Sequence, residues 1–301
     1  MHRHTGIKHP LEHDRPAPLS LGEQAQAGER VLAQAVNQAQ LAWGNRLLAA
    51  YALGSLAHGG FSIHVSDVDV GFILREPAES NDAAIVDKLS DGMRASSILL
   101  GDRLSVFWGT VSTLTGDESR GRFPLLDLLD LKQFGRLLAG SDIRSVIRSP
   151  STRELVVSSA RFALRILSTA EAAIQLTNPA ALVNAGLKRM TKLALYPARL
   201  LFTAHTGQVG INDKAVEHFL TLESGPAAQL VKAAFAWRFE PPEAGSRDVI
   251  KLLHDGLLPL YRIFLKDYQQ RLNEYHETEL AHAYGEWQRQ LDNSCLATGS
   301  A

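Results

Sequence analysis

Near residue 150 the sequence changes texture, and that change limits the available folds more than any other feature. Before it, strand and helix patterns alternate. "RLLAAYAL" (46–53) reads as a buried strand ending at Gly54, and "DRLSVFWGT" (102–110) is strand-like in its aromatic and β-branched content. "GEQAQAGERVLAQAVNQAQLAW" (22–43) and "NDAAIVDKLSDGMRAS" (81–96) have helical spacing. After it, "TRELVVSSARFALRILSTAEAAIQL", "PAALVNAGLKRMTKLALYPARLLFTAHTG", "DKAVEHFLTL", "PAAQLVKAAFAW" and the stretch from Asp248 to Leu291 are helical, punctuated by Gly and Pro, with no strand pattern among them. This order predicts an α/β or α+β protein, with strands and helices over residues 21–148 and an all-α helical bundle over 149–301; "RSPST" (148–152) is the boundary. A chain of 301 residues has enough length for two cores.

Charge and cysteine content narrow the function classes. Lys plus Arg number 31 against 32 Asp plus Glu, a net charge of -1, so no global field draws in nucleic acid or an acidic membrane. Any site for a polyanion must be local. Cys295 is alone and forms no internal disulfide, which suits a reducing compartment. With no apolar run near the roughly 18 residues that span a bilayer, and no signal-peptide pattern, the chain reads as cytoplasmic. His2, His4, His9 and His13 lie among prolines and charges in a stretch (1–20) read as a solvated, flexible tail.

The chemistry lies in "YALGSLAHGGFSIHVSDVDVGFIL" (51–74). In a strand, residues i and i+2 face the same side about 6 to 7 Å apart, so Asp67 and Asp69 present two carboxylates together while Val68 and Val70 enter the core. Carboxylates in a half-buried strand need a shared proton, cationic partners or a metal ion. Mg²⁺ takes one or two carboxylates plus substrate phosphates, and such a pair suits a two-metal site for phosphoryl or nucleotidyl transfer. Upstream, Gly54 and Ser55 follow a strand, where backbone N–H groups and a small hydroxyl can cradle phosphate oxygens.

Strand, Gly-Ser, about a dozen residues, then Asp-Val-Asp-Val resembles the signature of the DNA polymerase beta-like nucleotidyltransferase superfamily. It looks most like the bacterial branch that includes aminoglycoside nucleotidyltransferases, whose catalytic domain precedes a helical one. The resemblance covers roughly residues 40 to 150. It implies an α+β protein whose polymerase-beta-like domain is a mixed sheet with helices, with Asp67 and Asp69 as catalytic metal ligands, and with Gly54, Ser55 and Ser66 on the nucleotide. It also implies Mg²⁺ as cofactor and ATP or another nucleoside triphosphate as substrate.

The family carries a third carboxylate on a later strand, as metal ligand or general base. The matching strand here is "RLSVFWGT", and the matching position is Ser105; "LLAGSDIR" (137–144), which resembles a segment after that strand, supports the alignment. A serine hydroxyl is no base at neutral pH and a weak Mg²⁺ ligand. Three accounts stand: Asp102 takes the role, Asp127 or Asp130 of "LLDLLD" takes it, or activity is impaired. The last two are favoured, because Asp102 is three residues from Ser105 and points to the opposite strand face.

Between Glu171 and Asp213 there is no acid, yet Lys188, Lys192 and Arg199 fall within about 40° on one helical face if the helix continues through Pro197. That face is either a solvated one or a cationic wall that contacts the triphosphate. His205 reads as a helix-end residue, and Trp43, Trp108, Trp237 and Trp287 as packing.

Together these features predict a nucleotidyltransferase that moves AMP from ATP to a hydroxyl of a small-molecule or protein acceptor. Nucleic acid is the least favoured acceptor, and no membrane partner is expected. The alternative is a catalytically degenerate nucleotide-binding or interaction protein, an antitoxin-like partner. Nothing in the sequence fixes the oligomeric state.

Overall fold

The computed structural model describes residues 21–116, 120–243 and 245–298, so the histidine-bearing N-terminal stretch lies outside the described residues. Four strands form one mixed sheet of order β3-β2-β1-β4: β1 (Leu47–Leu53), β2 (Val68–Leu74), β3 (Leu104–Thr110) and β4 (Arg136–Gly140). β1 runs antiparallel to both β2 and β4, while β2 and β3 are parallel. A parallel pair needs a crossover, and the amphipathic helix α3 (Asp82–Ala95), preceded in the chain by α1 (Leu21–Trp43) and α2 (Gly54–His58), supplies it.

Strand alternation sends the two halves of each strand to different cores. Val68, Val70, Phe72, Leu74, Val106 and Trp108 pack against α1 and α3. α1 meets them with Ala27, Val31, Ala35, Ala39 and Trp43, one residue per turn, whereas Leu41 points into solvent. On the opposite face Tyr51, Leu53, Ile73 and Phe107 pack against Leu128 and Leu131 of α5 (Leu125–Phe134), which follows the short α4 (Val111–Thr115). By the same parity Asp69 and Ser105 face α5.

From Thr152 onward the described chain is helical: α6 (Thr152–Leu167), α7 (Ala170–Thr177), α8 (Pro179–Asn184), α9 (Leu187–Thr206), α10 (Asn212–Leu222), α11 (Pro226–Ala236), α12 (Arg247–Glu274) and α13 (Thr278–Thr298). The first begins with a capping box, Ser151 and Glu154 satisfying each other's backbone N–H groups. The apolar runs split where caps intervene. Thr169 and Asn178 cap α7 and α8, Gly186 (φ 90°) precedes α9, and His276 (φ 60°) separates α12 from α13.

The helix α9 passes straight through Pro197. Proline lacks the N–H that would bond the carbonyl of residue 193, and the buried Tyr261 hydroxyl of α12 donates to that oxygen at 3.2 Å. Phe264, Tyr268, Tyr284 and Trp287 fill the core beside it. Burying a side chain such as Phe264 stabilises by about 1.5 to 3 kcal/mol. A smaller cluster of Leu129, Leu155 and Val209 joins α5 to the helical layer. The end of the sheet where β1 finishes and β2 begins then faces α9 across a cleft. Among the described residues no helix is long and apolar enough to cross a membrane.

Candidate active site

The cleft, of about 1290 Å³, is floored by the end of β1, the start of β2 and α5, and walled by α6 and α9. β1 and β2 pair so that Leu53 lies opposite Asp69. The next residue, Gly54, turns with φ +59° and comes so close that a Cβ there would stand 2.4 Å from Asp69 Oδ2. Only glycine allows both the turn and the approach. Ser55 lines the cleft beside it.

The Gly54 N–H, expected to face phosphate, donates instead to Asp130 Oδ2 at 2.6 Å. Ser66 is also engaged: its Oγ accepts from the Ser62 N–H at 3.0 Å and lies 3.5 Å from Arg238 Nη2, so it braces the loop before Asp67. Arg238 is itself buried, bonds the Gly60 carbonyl at 2.7 Å, and keeps one Nη1 without a partner.

Asp67 and Asp69 sit side by side in different electrostatic environments. Asp67 accepts hydrogen bonds from Lys188 Nζ and, at 3.1 Å, from Lys192 Nζ. Burial pushes its carboxyl up, but the two ammonium groups outweigh burial and hold it below the ordinary carboxylate value. Asp69 has no such counterion. Burial, then the negative charges of Asp67 and Asp130, raise it to about 7, against weaker opposing help from Lys192 and the Ser105 hydroxyl.

α5 contributes two more acids. Asp127 is raised to about 7 by burial and by Asp69 and Asp130; Asp130 is raised chiefly by burial, although the Gly54 N–H and His58 favour its charged form. Among the described residues Asp130 Oδ1 is buried without a hydrogen-bond partner, and His58 Nε2 lies 4.0 Å away. Three carboxyls that cannot all ionise together hold a proton or attract a cation. Asp102 does not line the main cleft: it is exposed in the turn before β3 and lines a smaller groove of about 440 Å³ beside α3, which adjoins the cleft at Asp67, Ser105 and Arg122.

A divalent ion fits this charge pattern. Asp67 and Asp69 supply two carboxylates, and the unmet negative charge around Asp69 favours a cation. Among the described residues no group of three or more His, Cys, Asp or Glu side chains is arranged to hold a metal. The donors therefore suit an ion that completes its shell with substrate phosphates and water.

The cationic face of α9 does border the cleft, through Lys192, Tyr196 and Arg199, with Lys188 on Asp67. The expectation that all three cations reach the triphosphate becomes narrower, because Asp67 engages both lysines. Arg199 Nε donates to the Gly210 carbonyl at 2.6 Å and its guanidinium lies 5.6 Å from the Tyr196 ring, on the side that influences His58, Asp127 and Asp130. His205 is no isolated helix-end residue: it bridges His218 and Asp267, each at 2.9 Å. His58, Arg122 and Arg238 line the cleft without any spacing signal in the sequence. Trp43 packs as expected and also donates to the buried Asp82 at 3.0 Å.

A crystal structure of the spectinomycin adenyltransferase AAD(9) from Enterococcus faecialis, with ATP and spectinomycin, is similar at a TM-score of 0.51 and 12% identity. The match covers 78% of this chain and 98% of that one. At that identity the likeness shows the fold: a mixed sheet with helices of the kind found in an adenyltransferase. No family model and no curated protein matches the chain.

Proposed function

We propose that this chain is a metal-dependent nucleotidyltransferase that moves AMP from ATP to a hydroxyl of an acceptor, a small molecule or a protein. The observation that carries the reading is the β1–β2 junction, where Gly54 is pressed against Asp69, and Asp67 and Asp69 face a cleft walled by the cationic α9. The fold shared with an adenyltransferase crystallised with ATP supports it. The division into a nucleotidyltransferase domain at 21–148 and a helical domain at 149–301 belongs to the same reading, as does a cytoplasmic location.

Asp67 and Asp69 would hold Mg²⁺, which when bound neutralises charge on the triphosphate and on the transition state. Ser55 and Arg199 bind the phosphates. The acceptor oxygen bonds to the α-phosphorus while its proton passes to Asp127, and the bond from that phosphorus to the bridging oxygen breaks to release pyrophosphate. Asp127, raised to about 7, is matched to such a proton at neutral pH. Asp130 fixes the Gly54 turn through the N–H bond.

The test is transfer of label from ATP labelled at the α-phosphorus, with Mg²⁺ and a panel of hydroxylated acceptors. Label transfer with equimolar pyrophosphate, lost in Asp69→Asn, supports the reading. A second reading, the degenerate nucleotide-binding partner, draws on Ser105 beside Asp69 and on the two lysines already seated on Asp67. Nucleotide binding with no turnover on any acceptor would favour it.

A further inference from the structure

The wall that α6 and α9 form beside Asp67 gathers positive charge, apart from the acids on the cleft floor. α6 and α9 run antiparallel there. Gly207, just past the end of α9, stands against Thr152 at the start of α6, and Phe162 meets Tyr196 edge-on at 5.5 Å midway. One turn beyond that contact in each helix, Arg165 and Lys192 come level. Arg161, Arg165 and Lys192 line the cleft, and Lys188 and Lys192 share the single carboxylate of Asp67.

Among the described residues Arg161 and Arg165 make no ion pair, and two nearby acids are spoken for: Glu154 by Arg148 at 2.8 Å and Glu277 by Arg153 at 2.8 Å. On this wall four cations gather about Asp67, while the other acids of the cleft, Asp69, Asp127 and Asp130, belong to β2 and α5 on its floor. A polycationic acceptor of the aminoglycoside type would meet repulsion here. An oxyanion would meet arginine forks and ammonium groups, donors suited to phosphate and carboxylate. At about 1290 Å³ the cleft exceeds the roughly 300 to 1,000 Å³ of a single small-ligand pocket, leaving room beside a nucleotide.

Resting on the nucleotidyltransferase reading, we infer that the acceptor is a small anionic molecule, a hydroxylated compound bearing a phosphate or carboxylate, bound by Arg161, Arg165, Lys188 and Lys192. Phe162 and Tyr196 offer an apolar floor to its carbon skeleton.

The test is saturation-transfer NMR on the full chain with Mg²⁺ and a nonhydrolysable ATP analogue. The probes are glucose 6-phosphate, gluconate, glucose and glucosamine, each at up to about 10 mM, the range where weak binding registers. The two anions are expected to bind and the neutral sugar and the amine are not. Arg161→Gln with Arg165→Gln should weaken anion binding by about tenfold or more, the scale of lost charge-assisted bonds, while leaving the analogue's affinity within about twofold. Glucosamine binding in place of the anions, no anion binding at all, or anion binding unchanged in the double variant overturns the inference. If the analogue itself fails to bind, the nucleotidyltransferase reading has failed instead, and the two failures are told apart.

Discussion

Ser105 stands in register beside Asp69 on the parallel strand pair β2–β3, and its hydroxyl favours the charged form of the Asp69 carboxyl only weakly against burial and the neighbouring acids. A serine there takes no proton at neutral pH. α5 packs on the same sheet face and brings Asp127 within electrostatic reach of Asp69, and under the proposed function it supplies the acid that the strand lacks. On this account the base has moved from strand to helix.

Asp127→Asn should then lower turnover by about 10²-fold or more while leaving nucleotide affinity nearly unchanged, the signature of a lost base. Asp102→Ala, in the groove beside α3, should change neither. Steady-state transfer rates with parallel nucleotide titrations check both. An unaffected Asp127→Asn would return the base to an unassigned group.

Ser105→Asp separates a moved base from a missing one. With Asp127 serving, a further carboxylate beside Asp69 adds like-charge repulsion and should lower turnover in the native background. In an Asp127→Ala background the same change should restore part of the activity. A gain in the native background would mean that the chain lacks a working base.

The acid cluster also sets a pH dependence of stability. Asp69 and Asp127 titrate at about 7 in the folded chain, against about 3.9 for an unperturbed Asp. The folded state then binds more protons than the unfolded state between those values, so the stability these groups contribute falls as pH rises from about 4 to about 7. Asp69→Asn removes one such group. Its melting temperature relative to the native chain, measured without divalent cations, should rise between pH 5 and pH 7.5, windows that bracket this titration at about one side each. A constant difference would contradict the charge assignment.

Arg199→Ala should weaken triphosphate binding by about 1 to 3 kcal/mol, the range for charge-assisted hydrogen bonds, and affect AMP much less. Calorimetric titration of both nucleotides decides it. Equal weakening would return Arg199 to a purely structural role on the Gly210 carbonyl.

Tyr261→Phe addresses the scaffold. Without the hydroxyl, the Leu193 carbonyl freed by Pro197 is left buried and unpaired, which costs about 1 to 3 kcal/mol. Denaturant unfolding should show that loss. No loss would mean that another donor reaches the carbonyl.

Three of the four strands were legible because short apolar runs such as "LLAAYAL" and "VDVGFIL" are bounded by glycine or charge, whereas β4 (Arg136–Gly140) is short and largely unburied; Ser105 was matched by the resemblance, and the strand register sets it beside Asp69. Asp127 and Asp130 stood among the candidate acids, but "LLDLLDLKQF" is apolar on nearly every side, and only the folded sheet shows that both come within electrostatic reach of Asp69. The lysines were placed on the correct helix face by their spacing. That Asp67 would engage them depended on how α9 packs over the sheet, which no local pattern encodes. Arg238 and His58 reach the cleft from loop and short-helix positions with no periodic signature.

The central claim is that Asp67 and Asp69 form a metal-dependent nucleotide site, and the most direct test is titration of a nonhydrolysable ATP analogue with and without Mg²⁺. The native chain should bind the analogue in a Mg²⁺-dependent manner, and Asp69→Asn, still folded by its melting curve, should lose that dependence. Full Mg²⁺-dependent binding by Asp69→Asn would contradict the account.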